Sequence, residues 1–222
     1  MELVIFDLDG TLIDSHFDKV GARLSIVELL RERGVDPSPL RMEDPLQKYI
    51  DLARRENLLN EVKIILDEYE ITAFSQSKPK DGLYDVLNFM RRRGLKIGLL
   101  TNAGKKATEY ALTRFNLKSY FNAVVTRDDC YRMKPNPDGI ILLISMIRCD
   151  KKRTAFVGDT ALDVEAAKSA GVLSIALLDG VGKPSEIEVS KPDYTVGSIR
   201  DLINLPIFKW RARRASIPRP PG

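Results

Sequence analysis

The chain has 222 residues, of which 44% are hydrophobic and 30% are charged, a balance typical of a soluble globular protein. Its net charge of +4 depends on five basic residues after Leu205, and the rest of the chain carries −1, which does not indicate a nucleic-acid-binding surface. Two cysteines without metal-ligand spacing, and no apolar run long enough to span a bilayer, favour a cytoplasmic protein without membrane attachment.

Short apolar segments predict five β-strands along the chain. They are LVIF (3–6), KIGLL (96–100), AVV (123–125), TAFV (154–157) and SIALL (174–178). Runs of this length without alternating polar residues are typical of strands that are covered on both faces, as in a parallel sheet.

Helical periodicity lies between these strands. Apolar residues recur on one face in 82–93, 137–148 and 160–171, and glycines at 94 and 171 are suited to end the first and third helices. Strands that alternate with helices predict an α/β fold with a doubly wound parallel sheet.

The interval between the first two strands is much longer than the dozen or so residues that a crossover needs. Helical periodicity predicts three helices in it, at 17–33, 44–56 and 58–70, and no convincing strand. We therefore interpret 15–79 as an inserted α-helical domain.

This insertion divides the rest of the chain into two further parts. Residues 1–14 and 80–205 are predicted to form the α/β core. Residues 206–222 are basic and rich in proline, which predicts a flexible tail. The sequence is compatible with a monomer or a homodimer.

Polar residues follow the predicted strands at the edge where open α/β sheets bind ligands. They are Asp7 and Asp9 after the first strand, Thr101 and Asn102 after the second, Lys134 beyond the third, and Asp159 and Asp163 after the fourth. Carboxylates gathered at one edge repel each other by roughly 4 kcal/mol per close pair at an effective dielectric of about 20. A divalent cation and a lysine would relieve this repulsion, and ligands that are all oxygen, beside a place for phosphate, favour Mg²⁺.

Four segments, DLDGTL, LLTNAG, KPNP and GDTALD, resemble in this order the motifs of the haloacid dehalogenase superfamily. The chain is most similar to phosphoglycolate phosphatase-like members that carry a helical cap. The insertion 15–79 lies in the usual place for that cap, and the similar framework extends to about residue 205.

The resemblance implies hydrolysis of a small phosphate monoester, such as phosphoglycolate, through an aspartyl-phosphate intermediate. Asp7 would be the nucleophile, and Asp9 would protonate the leaving oxygen and then activate water. Thr101, the Asn102 backbone and Lys134 would bind the phosphoryl oxygens.

The resemblance also implies a magnesium site. Asp7, the backbone carbonyl of Asp9 and Asp159 would bind Mg²⁺, with Asp163 supporting the ion through water. Simpler interpretations remain open for two positions: Asp163 would only complement a helix dipole, and Thr101-Asn102 would only cap a helix that begins near residue 104.

Three other functions are compatible with parts of the pattern. A phosphomutase of the β-phosphoglucomutase type, or a pyrophosphatase, would share Asp7 and Asp9. A receiver-like signalling module also uses aspartate, threonine and lysine at strand ends, but it is shorter and lacks a helical insertion. The expected partner is a small phosphorylated metabolite, with no membrane and no nucleic acid.

Overall fold

The computed structural model describes residues 1–208. In chain order its strands are β1 (Leu3–Phe6), β2 (Ile13–Asp14), β3 (Lys78–Pro79), β4 (Lys96–Leu100), β5 (Ala123–Val125), β6 (Thr154–Gly158), β7 (Leu173–Leu177) and β8 (Tyr194–Val196). Its α-helices are α1 (Lys19–Glu32), α2 (Leu46–Arg55), α3 (Leu59–Gln76), α4 (Leu83–Arg92), α5 (Lys105–Arg114), α6 (Asp138–Ile147), α7 (Ala161–Ala170) and α8 (Pro184–Ser190).

Six strands form one parallel sheet in the order β5-β4-β1-β6-β7-β8. The central strand β1 is fully buried, because alternate residues face two separate apolar layers. Val4 and Phe6 pack in the layer that holds residues of α4 and α5, whereas Leu3 and Ile5 pack in the layer that holds residues of α6 and α7. The predicted doubly wound α/β fold is confirmed.

Helices α1, α2 and α3 lie between β2 and β3 and share an apolar cluster of their own. Its members include Ile26 from α1, Tyr49 from α2 and Leu66 from α3. Helix α3 has 18 residues and is therefore about 27 Å long. It continues beyond residue 70, where the periodicity predicted its end, and its Phe74 packs into the main core of the sheet.

Two short pairings were not predicted. β2 and β3 form an antiparallel ribbon in which Ile13 pairs with Pro79 and Asp14 with Lys78, so the expectation of no strand within 15–79 was wrong at its last two residues. Strand β8 has three residues and adds an edge beside β7. β2 and β3 have only two residues each, and the apolar character of β8 is interrupted by Thr195, so none of them forms an apolar run.

The C-terminal boundary of the core lies beyond residue 205. Phe208 belongs to a short 3₁₀ turn, is 4% exposed and packs in the main apolar cluster. The predicted tail therefore begins later than 206, and its remaining part, 209–222, lies outside the described residues. Within residues 1–208, no helix combines the length and the apolar character that crossing a membrane requires.

Candidate active site at the carboxyl edge of the sheet

Asp7 lies directly beyond the last residue of β1. Its backbone N–H donates to the carbonyl of Val157 at 2.9 Å, so it continues the ladder between β1 and β6. Its side chain is largely buried, and Lys134 Nζ lies 2.7 Å from Asp7 Oδ1. The strand thus carries a charged group to the edge of the sheet, where a second charge meets it.

Three carboxylates meet at this point. Asp7, Asp159 and Asp163 are all buried, and each offers an oxygen atom within 4.8 Å of the others. β1 and β6 are hydrogen-bonded neighbours, which explains why residues that follow them come together. The convergence of these three positions that was predicted from the strand ends is present in the structure.

Asp159 is fixed by donors from two loops. Thr11 Oγ1 donates to Asp159 Oδ1 at 2.8 Å, and the Val181 N–H donates to Asp159 Oδ2 at 2.8 Å. Gly10 has φ of +79°, and a Cβ added there would lie 2.3 Å from Asp159 Oδ2. Glycine is required here both by its left-handed conformation and by the close carboxylate.

Asp163 serves two structural purposes. Its Oδ2 accepts hydrogen bonds from the Thr160 N–H at 3.0 Å and the Thr160 hydroxyl at 2.6 Å, which completes a capping box at the start of α7. Its Oδ1 lies 2.7 Å from Lys134 Nζ. The interpretation that Asp163 only complements the helix dipole was therefore wrong, because the residue caps α7 and also holds the lysine.

Thr101 and Asn102 do not cap the helix that follows them. The N-cap of α5 is Gly104, which makes no side-chain capping bond, so that interpretation was wrong. Instead, Thr101 Oγ1 accepts from the Ala103 N–H at 3.1 Å. Asn102 accepts from the Lys134 N–H at 3.0 Å and donates to the Lys134 carbonyl at 3.3 Å, which fixes the backbone that carries the lysine.

Asp9 is held by Ser15, which the sequence analysis identified only as the first residue of the insertion 15–79. The Ser15 hydroxyl donates to Asp9 Oδ1, and Ser15 is 2% exposed. Burial raises the pKa of Asp9, and the hydrogen bond from Ser15 opposes that rise. A carboxyl group with a raised pKa is suited to exchange protons near neutral pH.

Charge at this edge is incompletely balanced. Burial, followed by the nearby Asp163 carboxylate, raises the pKa of Asp159 to about 6. Burial also raises the pKa of Asp7, although Lys134 opposes it. Burial alone would lower the pKa of Lys134, but the carboxylates of Asp163 and Asp7 raise it, so the lysine stays charged.

These residues fit a divalent cation. The cluster of Asp7, Asp159 and Asp163 supplies only carboxylate oxygens, the ligands that Mg²⁺ prefers. When all three are ionised, the single charge of Lys134 leaves two negative charges uncompensated. A cation of charge two would compensate them and remove the repulsion between carboxylates, which adds to burial in raising the pKa values of Asp7 and Asp159.

A cavity of about 1080 Å³ separates this edge from the three inserted helices. Asp7, Asp9 and Lys134 line it on the sheet side, and Arg23 and Arg54 line it on the helical side. A small molecule in the cavity would therefore contact both the acidic edge and cationic side chains of the insertion.

Comparisons with known proteins agree with this arrangement. The model of the haloacid dehalogenase-like hydrolase family matches residues 4–177, well over half of the chain. Phosphoglycolate phosphatase from Pseudomonas putida is 28% identical over 220 residues, covering 90% of this chain and 78% of the relative. Phosphoglycolate phosphatase from Aquifex aeolicus is 28% identical over 214 residues, covering 92% of this chain and 96% of the relative.

A solved structure of a hydrolase from Pseudomonas syringae has the same fold, with a TM-score of 0.71 at 23% identity. The match covers 92% of this chain and 97% of that one. The family match includes both Asp7 and Asp159 and reaches the end of β7. The chain therefore belongs to the haloacid dehalogenase-like hydrolase family.

Proposed function

We propose that the protein is an Mg²⁺-dependent phosphatase that hydrolyses a small phosphate monoester through a phosphorylated Asp7. The observation that carries the proposal is the contact of Lys134 Nζ with Asp7 Oδ1 inside a cluster of three carboxylates. The names of the two relatives support a substrate similar to phosphoglycolate. The free state of both cysteines is compatible with a cytoplasmic location.

In the first step, a carboxylate oxygen of Asp7 forms a bond to phosphorus while the bond from phosphorus to the ester oxygen breaks. Asp9 gives its proton to the departing oxygen, which leaves as an alcohol. Lys134 neutralises part of the charge on the phosphoryl oxygens, and the hydroxyl of Thr101 and the Asn102 backbone bind them. The raised pKa of Asp9 supports its part in this step, because it favours the protonated form.

In the second step, Asp9 accepts a proton from water as the water oxygen attacks phosphorus. The bond between phosphorus and Asp7 breaks, the carboxylate of Asp7 is restored, and inorganic phosphate is released. Asp9 regains its proton in this step, so the cycle closes without any further proton donor.

Asp7, the Asp9 carbonyl and Asp159 would hold Mg²⁺, and Asp163 would support it through water while it orients Lys134. When bound, Mg²⁺ supplies positive charge beside the phosphoryl oxygens. The Thr11 hydroxyl and the Val181 N–H hold Asp159 in position for this role, and Gly10 leaves room for its carboxylate.

We further propose that residues 15–79 act as a cap that binds the part of the substrate beyond its phosphate. Arg23 supports this proposal, because it lines the cavity and brings a positive charge from α1 to it. A small phosphorylated metabolite would fill the cavity and exclude water from the reacting group.

The test is a hydrolysis assay on phosphoglycolate, a small artificial ester, pyrophosphate and a pair of interconverting sugar phosphates, with Mg²⁺ and with chelator. Phosphate release from a monoester that requires Mg²⁺ and is lost in Asp9→Asn supports the proposal. Transfer between sugar positions without net release of phosphate would favour a mutase, and preference for pyrophosphate would favour a pyrophosphatase.

A further inference from the structure

A buried ion pair joins the inserted helices to the sheet, and the proposed chemistry does not use it. Glu70 lies on α3 and Arg127 follows β5, and each is 5% exposed. Arg127 Nη1 lies 2.5 Å from Glu70 Oε1, and Arg127 Nη2 lies 3.3 Å from Glu70 Oε2. Asp67, one turn earlier on α3, places Oδ1 3.4 Å from Arg127 Nη2.

Both members of the pair also bind the loop that follows β4. Arg127 Nη1 donates to the carbonyl of Asn102 at 3.3 Å, and its backbone N–H donates to the carbonyl of Ala103 at 3.0 Å. Glu70 Oε2 accepts from the Gly104 N–H at 2.8 Å. One residue of α3 and one residue beyond β5 therefore hold the same loop.

This loop is the one that supports Lys134. The side chain of Asn102 makes two hydrogen bonds to the backbone of Lys134, at 3.0 and 3.3 Å. A continuous series of contacts thus runs from Glu70 through Arg127 and Asn102 to the lysine that lies against Asp7.

The ion pair fixes the position of α3 but contributes little to the net free energy of unfolding. Burying two charges costs desolvation free energy that their attraction only roughly offsets, but removing one partner leaves the other charge uncompensated. Helix α3 is therefore held where Glu70 faces Arg127. A displacement of α3 would separate the pair and release the loop that both residues bind.

We propose that Glu70 and Arg127 are positioning residues, which couple the seating of helix α3 to the affinity of the Thr101-Asn102 loop for phosphate. The inference rests on the proposed function, because that function assigns phosphate binding to this loop and to Lys134. When α3 is docked so that Glu70 contacts Arg127, the Asn102 carbonyl and the Lys134 backbone are held in place. With α3 displaced, the phosphate site loses its support.

The test compares Glu70→Gln with the matched control Lys63→Gln. Lys63 Nζ lies 2.7 Å from Asp128 Oδ1, so it joins the same helix to the same segment without contacting the loop after β4. In Glu70→Gln we expect the KM of a phosphate ester and the inhibition constant of inorganic phosphate to rise together by about tenfold, with a smaller fall in kcat. In Lys63→Gln both constants should change by less than about twofold.

A purely structural pair would give a different result. If Glu70→Gln lowers the melting temperature but keeps both constants at wild-type values, the coupling is wrong. Should Glu70→Gln fail to fold, Asp67→Asn provides the second variant, since it removes the weaker carboxylate contact with Arg127. It should raise both constants in the same direction but less, and wild-type constants would overturn the inference.

Amide hydrogen exchange separates this inference from the proposed function. The amides of Ala103, Gly104 and Arg127 are all hydrogen-bonded within the coupled loops. We expect them to exchange faster in Glu70→Gln than in Lys63→Gln, even if the wild-type protein hydrolyses no phosphate ester. Equal exchange in the two variants would overturn the coupling, whereas absence of hydrolysis alone would overturn only the proposed function.

Discussion

Lys134 Nζ lies 2.7 Å from Asp7 Oδ1, although the two residues are far apart in the sequence. Asp163 holds the lysine from the other side at the same distance. Lys134 therefore compensates two buried carboxylates and lies against the carboxylate that we propose as the nucleophile. It is the only lysine or arginine among residues 1–208 that forms an ion pair with Asp7.

Replacing Lys134 should remove the positive charge that stabilises the phosphoryl group. We expect Lys134→Met to lower kcat by about 10²–10³-fold, the effect typical of removing one electrostatic group from a transition state. Steady-state kinetics with saturating Mg²⁺ provide the measurement. A kcat within about twofold of wild type would show that the lysine serves only to hold the carboxylates.

Removing the Ser15 hydroxyl should change the pH dependence of the reaction. Its hydrogen bond lowers the pKa of Asp9, so Ser15→Ala should raise that pKa. Asp9 then ionises at higher pH. Both limbs of the pH–rate profile should therefore move to higher pH: the limb on which Asp9 must be ionised to act as a base, and the limb on which it must be protonated to act as an acid. Ser15→Thr keeps a hydroxyl and is the control; identical profiles for Ala and Thr variants would contradict this role.

Gly10 and Gly34 allow backbone strain to be separated from damage to the metal site. Both have positive φ, but a Cβ at Gly10 would meet Asp159 Oδ2 at 2.3 Å, whereas nothing lies within 4 Å of one at Gly34. Gly10→Ala and Gly34→Ala should each lower the free energy of unfolding by about 1–2 kcal/mol through the left-handed conformation.

Only Gly10→Ala should also weaken Mg²⁺ binding, because it displaces Asp159. Titration calorimetry with Mg²⁺ on both variants makes the comparison. Equal Mg²⁺ affinity in the two variants would contradict the placement of Asp159 in the metal site.

Arg23 should affect the choice of substrate more than the rate on a minimal ester. Its Nη2 donates to the Asp44 carbonyl at 2.9 Å, and the residue lines the cavity, where its positive charge would attract an anionic group of the substrate. We expect Arg23→Met to raise KM for phosphoglycolate by about tenfold, as for the loss of one charged hydrogen bond. Kinetics with p-nitrophenyl phosphate serve as the comparison, and an equal loss on both substrates would contradict a role in specificity.

The acidic edge could be predicted from the sequence because its strands are uninterrupted apolar runs. The run 3–6 is followed directly by Asp7, and the run 154–157 is separated from Asp159 by a single glycine, Gly158. Once the sheet is parallel, residues at the ends of adjacent strands must meet. Short pairings such as β2 with β3 could not be predicted, because two residues carry no periodicity.

Contacts between the inserted helices and the core were also missed. Glu70 follows Val62 and Leu66 at four-residue intervals, which places a carboxylate on the buried face of α3. That interruption of an apolar stripe was the available signal for a buried ion pair. Its partner Arg127 could not be identified, because the docking of α3 on the loop after β5 depends on tertiary packing.

The most direct test of the proposed mechanism is mass spectrometry of protein that is quenched with acid during turnover with Mg²⁺ and a phosphate ester. We expect a phosphoryl group on the peptide that contains Asp7, and no such group in Asp7→Asn. Turnover at the wild-type rate in Asp7→Asn, or a phosphoryl group on a different residue, would contradict the account.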